Sequence, residues 1–141
     1  MRPSLIRDRV LLMDQFNAVN GAAALAAAVQ QGQFAEGAFV YLKSRTAGEN
    51  IGIGNVGQRL EHRITVAYWV RNLTDSTGDA AVDQALDISD ALGLHLIGWT
   101  PDRRYAPLTY VSGSVLRYSP TVGLLWADEF KTSYHLQAVS R

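Results

Sequence analysis

Hydrophobic and polar positions alternate most regularly over residues 58–72, where Leu60, Ile64, Val66, Tyr68 and Val70 fall on one face and His62 is the one polar interruption. Glu61, Arg63, Thr65 and Arg71 fall on the other face, with Ala67 and Trp69 among them. A period of two in a run rich in β-branched and aromatic residues predicts a long strand with one face on a core. The indole on the outward face predicts a cover for it, either a second layer of the fold or a neighbouring chain. The remaining elements read as partners of this strand.

Ahead of it, Leu5, Ile6, Val10, Leu12 and Met13 behind Pro3 predict a helix reaching about Phe16. Proline is tolerated at such a start because its missing N–H has no partner there anyway. Residues 17–21 break the helix. The alanine-rich run 22–31 predicts a short second helix that Gly32 stops, alanine being the best helix former. Residues 38–43 predict a strand. Residues 44–57 contain Gly48, Gly52, Gly54 and Gly57 and read as a flexible glycine-rich loop. Loops of that length without structure of their own are uncommon and usually functional or mobile.

After the long strand, residues 72–79 offer several helix-capping side chains. A third helix is predicted from about 80 to 92, with Val82, Ala85, Leu86, Ser89 and Leu92 as its buried stripe and Asp83, Asp87 and Asp90 projecting away. Residues 94–101 form an apolar segment ending in a sharp turn. A strand over 109–118, bulged at Ser112, Gly113 and Ser114, is joined by a hairpin loop at 119–123 to a last strand from 124 to about 137. On that strand Leu124, Trp126, Phe130, Tyr134 and Leu136 share a face that Asp128 interrupts. The order helix, helix, strand, strand, helix, strand, strand lacks strand–helix–strand alternation. It predicts a single α+β domain over 1–141, a mostly antiparallel four-stranded sheet with helices packed on it.

Composition changes this picture little. A chain of 141 residues suits one domain with a real core, and 48% hydrophobic against 18% charged residues argues against wholesale disorder. Thirteen basic and thirteen acidic residues give no broad basic surface, so sequence-specific nucleic-acid binding is not expected. The absence of cysteine removes disulfides, thiolate nucleophiles and cysteine-ligated metals. The charged N-terminus does not read as a secretory signal, and the alanine-rich run falls short of a membrane span. A soluble protein made in the cytoplasm, with no membrane partner, is expected.

The motifs that resemble chemistry have plainer readings. Residues 52–57 match G-x-G-x-x-G, but dinucleotide binding needs that motif between a strand and a helix, so that the helix N-terminus meets the pyrophosphate. Here a strand-like alternation follows. His62, His95 and His135 lack metal-ligand spacing and read as structural. Asp128 and Glu129 are sequential on a strand and point to opposite faces, so they do not act together on one bond. No catalytic centre, cofactor or metal is expected.

More specific is a succession of short signatures. Ala91 and Leu92 at a helix end are followed by Gly98-Trp99-Thr100-Pro101, then Tyr110-Val111-Ser112-Gly113, then Trp126-Ala127-Asp128-Glu129-Phe130-Lys131-Thr132. With the opening helix, the alanine-rich helix, the Phe39-Val40-Tyr41 strand and the Val70-Arg71-Asn72 strand end, this order resembles the tail terminator, or tail completion, proteins of tailed bacteriophages and prophages over nearly the whole chain. Ser112-Gly113 stands where Gly-Gly is the family's habit. The resemblance implies a virion structural protein and not an enzyme. It implies a homo-oligomeric ring, commonly a hexamer, on the head-proximal end of the tail tube, which stops tube polymerisation and offers a joining surface to the head. The implied partners are further copies of itself, the tail tube protein and a head connector or completion protein. Another head–tail connector or tail component, or a small ligand-binding α+β domain using the glycine loop, is the alternative.

A closed ring needs a heterologous contact, one patch meeting a different patch on the neighbour. The acidic face of Asp83, Asp87 and Asp90 and the outward residues Arg59, Arg63, Trp69 and Arg71 are the candidate pair, tryptophan and arginine being enriched at interface centres. Arg45, Asn50, Ile51, Ile53 and Asn55 in the glycine-rich segment are candidate assembly residues that order on contact.

Overall fold

A computed structural model of the chain describes residues 2–32, 35–72, 74 and 77–139. These residues form α1 (Pro3–Leu11), β1 (Val19–Asn20), α2 (Ala22–Gln31), β2 (Ala38–Asn50), β3 (Asn55–Val70), α3 (Asp79–Leu96), β4 (Thr109–Ser119) and β5 (Gly123–Val139). The sheet order is β1-β2-β3-β5-β4, with β3 at the centre. Every pairing is antiparallel except the short β1, which lies parallel to β2. The architecture is therefore α+β as expected, but the sheet is mixed and has five strands where four antiparallel ones were predicted. Two residues, Val19 and Asn20, are too short a run to show a period, which is why the extra strand was read as a break.

Strand parity sets the two layers. The even positions of β3 pack with α1 and α3 in the main core, where Ile6, Val10, Ile64, Val66, Tyr68, Leu92, Leu96 and Phe130 are buried. Ala67 and Trp69, on the odd positions, pack with Phe39, Leu125, Ala127 and Leu25 of α2 in a smaller core on the opposite face. Trp69 is thus covered by a second layer of its own subunit. Alanine suits α2 because a small side chain lets the helix lie close to the sheet, and Gly32 ends it with a left-handed φ of 64°.

Five sequence expectations need correction. Residues 44–57 are not a loop: β2 runs on to Asn50 and β3 begins at Asn55, leaving 51–54 as the turn. The first helix ends at Leu11 and not near Phe16, although Phe16 is still buried. The third helix continues through Gly93 to Leu96, and its buried residues are Ala81, Ala85, Ser89, Leu92, Gly93 and Leu96. Leu86, assigned to the buried stripe, is exposed. In β4 the register shifts fall between Tyr110 and Ser112 and between Val115 and Arg117, so they flank the expected bulge rather than coincide with it.

A candidate assembly surface

Burial along β3 divides it. From Ile64 to Val70 every residue is buried, whereas towards Asn55 only Gly57, Leu60 and His62 are. The partners follow suit: β2 is exposed or half-buried beyond Val40, and described side chains of β5 beyond Tyr134 are exposed. The far ends of β2, β3 and β5 therefore form a three-stranded arm standing clear of the helices. Its ladder continues to Asn55 opposite Val139.

The tip of the arm is closed by Asn50, whose side-chain oxygen accepts hydrogen bonds from the backbone N–H of Gly52 and Gly57, both at 2.9 Å. A Cβ on Gly52 would collide with Asn55, and Gly54 has a φ of 75°. The G-x-G-x-x-G glycines thus serve a strand–turn–strand hairpin, and no helix N-terminus follows them. Ile51 and Ile53 project from this turn, Ile53 with 99% of its surface exposed.

The sequence-predicted arginines separate into different environments. Arg59 is exposed and donates from Nε to Ser133 Oγ at 3.0 Å. Arg63 is held in its own subunit, 2.8 Å from Glu61 and 3.1 Å from Glu129. Lys43 also reaches Glu129, at 2.6 Å, and its hydrogen bond, with that of Arg63, holds the Glu129 carboxyl below the usual range. Arg45 donates to the Tyr134 hydroxyl and lies over the Tyr134 ring. Arg71 is exposed at the opposite end of β3, eight residues from Arg63, so the three arginines of the predicted patch do not form one cluster.

Asp83, Asp87 and Asp90 are all exposed on α3. That helix packs on the even face of the sheet, while Arg59 and Arg63 belong to the odd face. The acidic and basic candidates consequently lie on opposite sides of one subunit and do not meet within it.

What fixes α3 in this position is a buried carboxylate that parity alone marked only as an interruption. Asp128 is fully buried. Its Oδ1 accepts from Ser89 Oγ at 2.8 Å, Tyr110 Oη at 2.8 Å and Trp126 Nε1 at 2.9 Å, and its Oδ2 accepts from Tyr68 Oη at 2.7 Å. One residue thereby ties α3, β3, β4 and β5 together. Burial first, and then the charge of Asp128, pushes the Tyr68 hydroxyl far up, so it stays protonated and donating. Gly113 is required beside this cage: a Cβ there would run into Tyr110 Oη, Asp128 Oδ1 and the Trp126 ring.

Held this way, α3 and β4 bound an open groove of about 670 Å³ lined by Leu86, Asp90, Gly93, Leu94, Ile97 and Tyr110. Its lining is mostly apolar and exposed, with Leu94 at 89%. Sequence reasoning missed it, because Leu86 had been placed inside and Leu94 beyond the helix end. Among the described residues no three His, Cys, Asp or Glu side chains come together as a metal group would require. His62 is buried against Tyr105 and Tyr134, and His95 joins α3 to the Arg9 carbonyl at 2.6 Å.

Against this geometry stands one comparison with known families. The family described as phage tail terminator protein matches residues 1–140. The chain belongs to it. The resemblance carried by the Gly-Trp-x-Pro and Trp-x-Asp-x-Phe-x-Thr signatures is thereby confirmed. Both signatures are structural in this terminator: Trp126 and Asp128 build the cage, and Trp99 packs against the main core under the Arg9 guanidinium. A tail terminator is a phage tail component of a structural family, and not of an enzyme family. No helix among the described residues is long and apolar enough to cross a membrane. Among curated proteins, none matches the chain.

Proposed function

We propose that the protein closes into a homo-oligomeric ring, a hexamer, on the head-proximal end of the phage tail tube. There it stops tube polymerisation and offers the surface to which the head's connector or completion protein joins. The observation that carries this reading is the family match over residues 1–140. The geometry supports it in two ways. The subunit has distinct features on opposite sides, an exposed arm and an acidic helix with an apolar groove, as a heterologous contact needs. Its polar centre is built on the fully buried Asp128 carboxylate, whose four side-chain donors join α3, β3, β4 and β5 into one scaffold.

Electron microscopy of the purified protein, alone and mixed with its tail tube protein, tests the reading. Closed rings, and tubes capped at one end that no longer elongate, are the expected result. A protein that stays monomeric and leaves tube growth unchanged overturns it.

A further inference from the structure

The arm tip and the α3–β4 groove pose complementary problems. Turn tips favour Gly, Asn, Asp and Ser, yet two of the four residues at 51–54 are isoleucines, Ile51 66% and Ile53 99% exposed. The groove exposes Leu86, Leu94, Ile97 and Tyr110 together. Contiguous apolar surface of this kind marks interaction sites. Gly93 gives the groove its floor. A Cβ there would meet only Ile97 Cδ1, at an ordinary 3.5 Å, so the fold does not demand glycine in mid-helix. Glycine weakens a helix interior relative to alanine, and here its effect is to keep the groove open.

One copy does not satisfy both features. Tyr110, at the groove, is level with Phe130 and Ile64, whereas the arm tip begins at Asn55, nine residues along β3. At roughly 3.3 Å per residue, tip and groove are about 30 Å apart. Charge favours a second copy as the occupant. The groove side carries Asp83, Asp87 and Asp90 exposed, and no described ion pair engages them. The arm carries Arg45, Arg59 and Lys131 exposed, against Glu49 as the exposed carboxylate, Glu61 being half-buried and paired with Arg63.

We propose that Ile51 and Ile53 of each subunit seat in the α3–β4 groove of the next, with the arm's cations against the acidic face of α3. This rests on the ring reading and names the contact that closes the ring. It is heterologous, so it propagates in one direction and is completed only on closure.

The chain has no cysteine, which makes the test clean. Ile53→Cys and Leu94→Cys are prepared as separate single variants, mixed, and treated with a short bismaleimide. Both positions are almost fully exposed, so both variants are expected to fold. The mixture is expected to give a cross-linked dimer that neither variant gives alone. In parallel, Ile53→Asp and Leu94→Asp are followed by analytical ultracentrifugation, with circular dichroism checking the fold. Each is expected to weaken assembly on the order of tenfold or more, as loss of a central apolar anchor does. Wild-type rings with no cross-link in the mixture, and with both aspartate variants assembling normally, overturn this contact and leave the ring reading standing. Cross-linking of Ile53→Cys to the tube protein instead of to Leu94→Cys also overturns it. A wild type that forms no ring and gives no cross-link overturns both.

Discussion

The two halves of the central sheet use the same strands under opposite conditions. Where β3 and β5 run past α1, α3 and α2, from Ile64 to Val70 and from Leu124 to Phe130, both faces are buried, and the Asp128 carboxylate is held by four side-chain donors. Where the same strands run on into the arm, only Gly57, Leu60 and His62 of β3 are buried, and the ladder is held by backbone hydrogen bonds, the Asn50 turn and scattered side-chain contacts such as Arg59 with Ser133. A sheet without a packed face is marginal by itself in water, so the arm persists as an extension of strands anchored elsewhere. The lesson is one of separated duties: substitutions in the packed half act on folding, and those in the arm act on what the molecule meets.

The largest test of that separation is Asp128→Ala. It leaves the Ser89 and Trp126 donors without this acceptor in the core and Tyr68 with only the Ala85 carbonyl at 3.3 Å. Each unsatisfied buried donor costs about 1–3 kcal/mol, so a total loss of at least about 2 kcal/mol is expected in denaturant unfolding. A loss below about 1 kcal/mol would mean that packing alone seats α3 on the sheet. Next comes Trp69→Ala, which empties the layer beneath α2. Its indole N–H has no hydrogen-bond partner among the described residues, so the loss is one of packing, about 3 kcal/mol. If Trp69→Ala instead left thermal stability unchanged and abolished assembly, Trp69 would be an interface anchor after all.

These residues also show what was legible in the sequence. Within the packed half, each strand and helix meets one core, so period two and period 3.6 survive in the letters. The period-two run ending at Val70 was placed correctly for that reason, whereas the helix at Ala22–Gln31 was legible from alanine's propensity and the Gly32 stop. In the arm, residues 44–50 are exposed or half-buried on both faces, so no alternation is imposed and four glycines between 48 and 57 looked like a loop. Leu86 was misplaced because leucine on an amphipathic helix is presumed inward, and only the position of β4 beside α3 leaves it at a groove. Arg63 was read as outward and available. Its pairing with Glu129 depends on the β3–β5 register, which one strand does not announce. Whether Arg59, Arg71 and the three aspartates meet another chain is a property of two surfaces, and a single sequence carries no record of the second.

A smaller effect sits at the border of the two halves. Burial, with lesser contributions from nearby positive charge including Arg45, lowers the His62 pKa from its usual 6.5 to about 4. The unfolded chain therefore takes up a proton near pH 6.5 and the folded protein only near pH 4. Between those values the unfolded state binds more protons, so stability falls as pH falls through that window and is constant with respect to this group above it. The expected loss between pH 7 and pH 4 is about 1–3 kcal/mol, reduced from the full shift because Arg45 and its surroundings are open to solvent. His62→Phe, which keeps the packing against Tyr105 and Tyr134, should flatten that part of the stability–pH curve. An unchanged slope would assign the pH dependence to other groups.

The smallest effect is the sharpest test of the comparison. Ile51→Ser combined with Ile53→Ser removes two large apolar side chains, a change that would be severe in a core. At the arm tip both are exposed in the free subunit, so little apolar burial is lost on folding. Asn50, Gly52 and Gly57 still close the turn through backbone and Asn50 side-chain groups that the substitutions do not touch. Monomer stability should therefore stay within about 0.5 kcal/mol of wild type, as surface substitutions away from structural features do. Hydrogen exchange gives the complementary reading. Amides at 46–50 and 55–59 should exchange by local opening, well before those at 64–70, because few buried contacts oppose opening there. Protection of the arm equal to that of the core in the free monomer, or a double variant that loses more than about 1 kcal/mol, would show the arm to be part of the cooperative fold, and the division between packed half and arm would fail.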